Sequence, residues 1–281
     1  MEEKITKIIA IADIHIPSLR GIDNVKEVLS KFITDVRKIV KKEGAEHVRV
    51  AVLGDVFHNK ITITNESIIA VSWFFSELSK TCKTVVIAGN HDMLMNNLDR
   101  IDSLSSVFEI GDYPNVTYLD KELDYKSGCY TDNNVVWCLY SSFDGFSTPP
   151  IASEKVKNPD AVYVGLIHAD INGAITPTGF ESANGLDGGV FKDCDCVMAG
   201  HIHKRQELKK EGVKIVYCSS PNQKDFGETV TGHGYVVWDV DDKESIKYKF
   251  KDIDNSENGF YKFSINSLED IENDREEIIN L

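Results

Sequence analysis

The chain has 281 residues, 42% of them hydrophobic, which is enough for one large domain with a substantial core. Its formal net charge of −14 argues against a protein that grips nucleic acid through a basic surface, because sequence-independent affinity for phosphates comes mainly from Lys and Arg. The chain has no secretion signal, no run of 18 apolar residues and no zinc-type cysteine pairing, which predicts a cytoplasmic protein with reduced thiols and no contact with a membrane.

The first 90 residues or so alternate between apolar runs and amphipathic stretches, the pattern of a layered α/β domain. In the first amphipathic stretch, apolar residues recur at helical spacing up to Gly44, a residue type that often ends helices. The pattern predicts strand, helix, strand, helix and strand in residues 4–13, 24–44, 47–55, 65–80 and 83–92.

Shorter strands are predicted in residues 115–120, 134–142, 161–170, 194–203, 213–220 and 234–240. Loops rich in Gly, Pro and Asn separate some of them, at residues 143–160 and 171–189. These strands indicate a second sheet packed on the first, and we predict one domain over residues 1–240. We expect residues 241–281 to form an acidic C-terminal extension that starts a capping or partner-binding segment, with strands at 247–253 and 261–265 and a helix at 267–281.

Similar polar residues follow five of the predicted strands. The five endings read D-I-H, G-D-V-F-H, G-N-H-D, I-H-A-D and G-H-I-H, and they hold six of the eight histidines. In an open α/β sheet, the carboxyl ends of the strands line one edge, where ligands bind. The candidate site residues are Asp13, His15, Asp55, His58, Asn90, His91, Asp92, His168, His201 and His203.

Each ending has an ordinary structural explanation when it is considered alone. Asp13 and Asp55 suit the N-cap of a following helix, Asn90 suits a turn, and His168 suits a hydrogen-bonded core position. The double histidine favours metal binding, because alternate residues of an extended segment point the same way. Independent caps and turns give no reason for Asp, Asn and His at all five strand ends, so we favour a shared site.

Two Asp, one Asn and four His at these strand ends offer more oxygen and nitrogen ligands than one divalent ion takes. Two ions that share a carboxylate take about four ligands each, and ions roughly 3.5–4 Å apart can clamp the oxygens of a phosphoryl group during hydrolysis. Imidazole, carboxylate and amide together suit Mn, Fe or Zn better than Ca or Mg. The pattern therefore predicts a dinuclear metal site for the hydrolysis of phosphate esters.

The ordered series D-x-H, G-D, G-N-H-D, H and G-H-x-H spans residues 13–203 and resembles the calcineurin-like metallophosphoesterases. The resemblance implies a four-layer α/β/β/α sandwich and two divalent metal ions, Mn²⁺ first, with Fe²⁺, Zn²⁺ or Mg²⁺ as alternatives. It implies these ligands: Asp13, His15 and His203 for one ion, Asn90, His168 and His201 for the other, and Asp55 as the bridge.

The same resemblance implies roles for two residues that are not metal ligands. His91 corresponds to the catalytic histidine, which contacts the phosphate and protonates the leaving oxygen. Asp92 is expected to orient a neighbouring histidine through the second ring nitrogen of that histidine.

Two motifs resemble one branch of this superfamily. His58 matches the G-D-x-F-H of the nuclease subunits of SbcC/SbcD and Mre/Rad complexes, whereas protein phosphatases carry G-D-x-x-D-R. Residues 216–228, VYCSSPNQKDFGE, resemble the segment ending in F-G-E that follows G-H-x-H in these nucleases, with Ser219 or Ser220 at its glycine position. The branch, which includes phage recombination endonucleases, implies hydrolysis of DNA ends, a phosphate contact by His58, an SbcC/Rad-type ATPase partner and a homodimer within that complex.

Other features leave alternatives open. The acidic balance weakens the nuclease prediction, and about 40 residues after the last predicted strand are too few for both the capping domain and the ATPase-binding helices of this branch. The alternatives are a small-molecule phosphoesterase, such as a nucleotidase or cyclic-nucleotide phosphodiesterase, and a scaffold that assembles with an ATPase.

The remaining charged residues near the motifs have two explanations. Six basic residues either follow substrate phosphates or are merely solvated: Arg20, Lys60, Lys204, Arg205, Lys209 and Lys210. We expect the two histidines outside the motifs, His47 and His233, to lie on the surface, with a position of the TGHGY stretch near the mouth of the site as the alternative for His233.

Overall fold

The computed structural model describes residues 4–261 of the chain. The strands in this part are β1 (Lys7–Ile11), β2 (Val48–Leu53), β3 (Thr84–Ile87), β4 (Val116–Tyr118), β5 (Gly128–Asp132), β6 (Val135–Tyr140), β7 (Val162–His168), β8 (Cys196–Gly200), β9 (Gln206–Lys210), β10 (Val213–Tyr217), β11 (Gly234–Asp239) and β12 (Lys247–Asp252). The α-helices are α1 (Ile22–Glu43), α2 (Asn65–Ser79), α3 (Ser103–Ile110), α4 (Leu119–Glu122) and α5 (Ile151–Lys157).

These strands form two six-stranded sheets. In the first sheet the order is β12-β11-β1-β2-β3-β4, with β1 to β4 parallel and the β11–β12 pair antiparallel at one edge. In the second the order is β5-β6-β7-β8-β10-β9, with β6, β7, β8 and β10 parallel and an antiparallel strand at each edge. Each sheet thus brings the carboxyl ends of parallel strands to one edge, where α/β folds bind ligands.

Alternation along the strands builds the layers. In β1, Ile9 and Ile11 pack with α1 and α2 on one face, whereas Ile8 and Ala10 pack against the second sheet. The outer face of the second sheet packs against α5, through Ile151, and against the loops that precede β8. The predicted two-sheet α/β sandwich is confirmed, and its fourth layer consists of a short helix and loops.

Local sequence signals explain where the two long helices begin and end. The N–H of Gly44, at a φ of 94°, donates to the Val40 carbonyl and ends α1 where the sequence predicts. Thr64 caps α2 through a reciprocal pair of hydrogen bonds with Ser67.

The sequence did not predict α3, β5 or β9, and α5 lies inside the loop predicted at residues 143–160. Asp102 starts α3 by accepting a hydrogen bond from the N–H of Ser105 at 2.8 Å. Each of these elements is short, so a periodic pattern has too few residues to identify it.

The segment predicted as an extension begins with part of the first sheet. β12 pairs with β11 from Lys247 opposite Asp239 to Asp252 opposite Gly234, so the boundary predicted at residue 240 falls between two paired strands. The helix predicted at 267–281, and all but the first residue of the strand predicted at 261–265, lie outside the described residues. Within residues 4–261, no helix combines the length and apolar character needed to cross a membrane.

Candidate metal centre

The five motif-bearing strand ends meet where the two sheets face each other. β1, β2 and β3 of the first sheet end shortly before Asp13, Asp55 and Asn90. In the second sheet, β7 ends at His168, and β8 ends one residue before His201. Parallel strands in both sheets thus deliver polar side chains from distant parts of the sequence to one place.

The backbone turns sharply at four of these residues. Asp13, His15, Asp55 and His201 have φ values of 54°, 50°, 52° and 94°, in the left-handed region that residues other than glycine rarely adopt. Such strain persists where the surrounding structure enforces it and is concentrated at functional sites. The N-cap alternative for the two aspartates is wrong, because Asp13 accepts from the N–H of His201 and Asp55 from the N–H of His91.

Two glycines allow the strand ends to approach this closely. A Cβ on Gly89 would lie 2.2 Å from the backbone nitrogen of Asp55, and one on Gly200 would lie 2.4 Å from the Leu53 carbonyl oxygen and 2.8 Å from Nδ1 of His168. Any larger residue would push the strand ends apart, so the G-N-H-D and G-H-I-H motifs require their glycines for packing.

Three of the predicted ligands form what we call the inner group: Asn90, His168 and His201. Oδ1 of Asn90 lies 2.9 Å from Nδ1 of His201 and 3.2 Å from Nε2 of His168. Nδ1 of His168 donates to the Leu53 carbonyl at 2.7 Å, which leaves Nε2 as the ring nitrogen that can bind a cation. Backbone of the first sheet thus holds this fully buried ring.

Three others form the outer group: Asp13, His15 and His203. Nε2 of His203 lies 3.1 Å from Nε2 of His15 and 3.7 Å from Oδ1 of Asp13. Nδ1 of His203 is 2.6 Å from Oε1 of Glu228, so this carboxylate fixes the ring as Leu53 fixes His168. The side chain of His203 is 21% exposed, so this group lies nearer to solvent.

Asp55 lies between the two groups. Its Oδ2 is 3.5 Å from Nε2 of His15 in the outer group and 3.3 Å from Nε2 of His168 in the inner group. A carboxylate in this position can share its oxygens between two cations, which is the bridging role predicted from the sequence.

The electrostatics of the centre favour bound cations. Burial opposes ionisation of Asp55, yet the neighbouring histidines hold the pKa of its carboxyl well below the usual range. Burial also works against protonation of His168, but the carboxylates of Asp55 and Asp13 raise its pKa to about 9. Burial lowers the pKa of His15 well below its usual value and that of His201 to about 4. An ionised carboxylate at Asp55 and neutral imidazoles at His15 and His201 are donors that divalent transition metals prefer. His168 would release its extra proton to bind a cation.

His91 and His58 lie together beside the outer group. The ring of His91 stacks on that of His58 at 5.9 Å between centroids and meets the ring of His15 edge-on at 4.7 Å. Nδ1 of His91 donates to the backbone carbonyl of His58 at 2.5 Å. This contact orients His91 and leaves its Nε2 without a hydrogen-bond partner among residues 4–261.

Asp92 does not orient a histidine, which corrects the sequence prediction. Its buried carboxylate accepts from the N–H groups of Val56, Phe57 and Gly89 at 3.2, 2.9 and 2.9 Å. Burial and the charge of Asp55 raise its pKa to about 7 despite these bonds. Asp92 therefore ties the turn after β2 to the turn after β3, and it positions Asp55 and Asn90 through the backbone.

Sequence reasoning missed two residues of the centre, Glu228 and Lys224. Both lie in the SSPNQKDFGE segment, whose resemblance to the nuclease branch implies no role for either side chain. Nζ of Lys224 donates to the carbonyl of Ile14, between two outer-group ligands, at 2.5 Å. Burial lowers its pKa to about 7, although the carboxylates of Glu228, Asp13 and Asp55 act in the opposite direction.

Two cavities open beside the outer group. The His203 cavity, about 350 Å³, is lined by His203, Lys204, Arg205 and Glu228, among others. The His15 cavity, about 210 Å³, is lined by residues that include His15, Arg20, Asn24, His58 and Lys224. Because Nε2 of His15 and Nε2 of His203 are 3.1 Å apart, both cavities adjoin the outer group.

The surface prediction for His233 is wrong, and the structure favours one of the two alternatives for Lys209 and Lys210 and one of the two serines. Lys209 and Lys210 lie on β9 opposite the amino-terminal half of β10, and therefore away from the sheet edge that carries the centre. His233 is buried, with 5% of its surface exposed, and its Nε2 lies 2.6 Å from the Thr229 carbonyl. Of the two serines considered for the glycine position, Ser219 has the positive φ, 74°, that a glycine would adopt without strain.

Known proteins share the sequence pattern and the fold. The model of a family described as calcineurin-like phosphoesterase matches residues 6–205. An uncharacterized protein of Acanthamoeba polyphaga mimivirus is 34% identical over 242 residues, which cover 83% of this chain but only 17% of that protein. The chain therefore spans about a sixth of the length of the curated relative that it matches.

Two solved structures have a similar fold. A dimetal phosphatase from Danio rerio superimposes with a TM-score of 0.53 at 13% identity, covering 84% of this chain and 93% of that one. GAP50, the anchor in the inner membrane complex of Plasmodium, gives a TM-score of 0.52 at 12% identity, covering 93% of this chain and 89% of that one. At these identities, the likeness concerns the fold alone.

Proposed function

Because the chain belongs to the calcineurin-like phosphoesterase family and is a metal-dependent phosphoesterase, we propose that it hydrolyses phosphodiester bonds of DNA at this centre. The observation that carries the proposal is that two separate cavities adjoin the outer group. A phosphodiester has an organic group on each side of the reacting phosphorus, whereas a phosphomonoester has one. Two cavities next to the outer group therefore suit a diester within a polynucleotide.

We propose that the inner group holds one divalent cation, the outer group the other, and that Asp55 contacts both. The buried carboxylates, neutral imidazoles and amide oxygen fit Mn²⁺, Fe²⁺ or Zn²⁺. Of these cations, we propose Mn²⁺ as the first to test for activity. When bound, such a pair of cations activates water and neutralises the phosphoryl oxygens in the transition state.

The histidines beside the outer group supply the proton transfer. The His58 carbonyl holds Nδ1 of His91, so Nε2 of His91 is the nitrogen that meets the substrate. In its protonated form, His91 donates the Nε2 proton to the oxygen that leaves the phosphorus, a role worth roughly 10²- to 10⁴-fold in rate. The ring of His58, stacked on His91, contacts a phosphate of the bound strand.

The acidic surface supports a further part of the proposal. With a net charge of −14, the chain has little long-range attraction for DNA of its own, so a second subunit would supply much of the affinity. We propose an SbcC/Rad-type ATPase for this role, with the nuclease subunit as a homodimer in that complex.

A nuclease assay tests the proposed function. We expect the purified protein to degrade end-labelled single- or double-stranded DNA with Mn²⁺ and not with a chelator. His91→Ala should be slower by about 10²-fold or more, whereas His47→Ala, a partly exposed histidine remote from the centre, should match the wild type. Rapid hydrolysis of nucleotides or nitrophenyl phosphates with DNA left intact would overturn the proposal and favour a small-molecule phosphoesterase.

A further inference from the structure

We infer that the His15 cavity binds a second phosphate of the substrate, adjacent to the phosphate that reacts. The inference rests on the proposed function, because it assigns a subsite of the same centre. It narrows the substrate class to molecules with at least two phosphate groups.

Two basic residues line this cavity without direct contact with an acidic side chain. Arg20 and Lys224 both line it, and neither forms an ion pair with an Asp or Glu side chain within residues 4–261. The His203 cavity differs in part, because Arg205 there is paired with Asp252, whereas Lys204 has no ion pair within residues 4–261. In a chain with 45 acidic and 31 basic residues, two basic side chains without a direct carboxylate contact in one concavity offer charge-assisted hydrogen bonds to an anion.

Lys224 is held in place with donor capacity to spare. Its Nζ donates to the Ile14 carbonyl at 2.5 Å and to Oδ1 of Asn222 at 2.8 Å. An ammonium group has three N–H donors, so one remains for a ligand. The nearby carboxylate of Glu228 is occupied elsewhere, because it accepts from Nδ1 of His203 and from the backbone N–H of Lys224.

The amino-terminal end of α1 adds hydrogen-bond donors to this cavity. Gly21 and Asn24, at the start of the 22-residue helix, line the same cavity. No side chain caps the helix, so its first N–H groups are available to an anion, while Asp23 in the first turn already offsets part of the helix dipole. The inference depends on Arg20 and Lys224, and the helix end is an additional, secondary observation in its favour.

The cavity also adjoins the reacting position. His15 of the outer group and His58 both line it, so an anion beside Arg20 and Lys224 lies next to the phosphate at the centre. Two substrate classes present this chemistry: an oligonucleotide, through its neighbouring phosphate, and a nucleoside polyphosphate. A mononucleotide or a simple phosphate diester leaves the cavity without an anion.

Kinetics on matched substrates test the inference. The substrates are thymidylyl-thymidine without a terminal phosphate, the same dinucleotide with a 5′- or 3′-phosphate, and thymidine diphosphate, all with Mn²⁺. We expect kcat/KM of the wild type for one of the two terminally phosphorylated dinucleotides to exceed that for the unphosphorylated dinucleotide by about tenfold or more. This ratio corresponds to one additional charge-assisted hydrogen bond. Arg20→Gln and Lys224→Gln should each reduce this ratio, and the double variant should bring it close to one.

Controls separate the outcomes. Lys41→Gln changes an unpaired, exposed lysine at the far end of α1 and should keep the wild-type ratio. Circular dichroism shows whether each variant is folded. Arg20 is exposed, so Arg20→Gln keeps the fold and tests the ratio if Lys224→Gln is unfolded. The same dependence on the two cations with thymidine diphosphate as the preferred substrate would support the inference and identify a polyphosphate as the source.

Two results would contradict the inference in different ways. Cleavage of all the dinucleotides at equal kcat/KM by the wild type, or an unchanged ratio in the double variant, would overturn the second-phosphate subsite and leave the proposed function standing. No cleavage of any dinucleotide or of thymidine diphosphate, alongside hydrolysis of nitrophenyl phosphates, would overturn the proposed function and the subsite with it.

Discussion

The inner and outer groups of the centre are built in different ways. The inner group is held by the sheets themselves, since the Leu53 carbonyl fixes His168 and Gly200 packs against the same ring. The outer group depends on Glu228, a side chain from the segment after β10, and it faces two cavities. One half of the centre is therefore a consequence of folding, whereas the other half is completed by a loop.

This difference predicts separate consequences for substitutions in the two halves. A change that disturbs the inner group should lower both the free energy of unfolding and metal affinity, because the same contacts serve both. A change that disturbs the support of the outer group should act mainly on metal affinity. The predictions below are ordered by their expected effect on activity.

The largest effect is expected for Gly200→Ala. The new Cβ would overlap the Leu53 carbonyl and the His168 ring, so the inner group cannot keep its geometry. We expect the free energy of unfolding to fall by about 1–3 kcal/mol and Mn²⁺-dependent activity to fall by more than tenfold. Urea denaturation and diester hydrolysis would measure both effects.

Gly189→Ala is the matched control, because its nearest contact would be an ordinary 3.5 Å. Retention of wild-type activity and stability by Gly200→Ala would refute the claim that the sheets hold the inner group.

An intermediate effect is expected for Glu228→Gln. The amide has only one acceptor oxygen for the two bonds that the carboxylate now accepts, from His203 and from the N–H of Lys224. We expect the affinity for the more weakly bound Mn²⁺ to fall roughly 10- to 100-fold, with activity recovering at high Mn²⁺. Calorimetric titration would measure it, with the exposed Asp225→Asn as control. Equal affinities in Glu228→Gln and the wild type would show that Glu228 does not support the outer group.

The smallest effect on activity is expected for Asp120→Asn, which tests a support of the inner group at a distance. Oδ2 of Asp120 accepts from the N–H of Ala88 at 2.8 Å, two residues before Asn90, and its Oδ1 accepts from the hydroxyl of Ser141 at 2.5 Å. Burial raises the pKa of Asp120 to about 6, although these two bonds act in the opposite direction.

The sign of the pH effect follows from this shift. The folded state binds the Asp120 proton more tightly than the unfolded chain does. The contribution of the protonated carboxyl to the free energy of unfolding is therefore present below about pH 4 and is lost as pH rises through about 6. Between pH 4 and 7, the wild type should lose about 2–3 kcal/mol relative to Asp120→Asn. Urea denaturation of both proteins across this range measures the difference, and parallel curves would contradict the assignment.

The sequence allowed the centre to be located because its ligands follow strands whose apolar runs are easy to recognise. Asp13, Asp55 and Asn90 each come directly after a buried parallel strand, and such strand ends necessarily share an edge. The same logic predicted His168 and the double histidine on the second sheet. To locate the centre, it is enough to know that these strands run parallel; the order of the strands in the two sheets is not required.

The supporting contacts could not be predicted in the same way. Glu228 and Lys224 reach the centre from a segment without regular structure, so no periodicity indicates where their side chains lie. Asp92 was assigned to a histidine, but three backbone N–H groups provide its hydrogen bonds instead. Such contacts depend on how two turns pack together, which the spacing of residues along the chain does not specify.

Electron paramagnetic resonance of the Mn²⁺-loaded protein tests the central claim most directly. If Asp55 contacts both cations, the wild type should bind two Mn²⁺ per chain and show the spectrum of an exchange-coupled pair. Asp55→Asn should lose this coupling. A single Mn²⁺ per chain, two uncoupled ions in the wild type, or coupling that survives in Asp55→Asn would contradict the account.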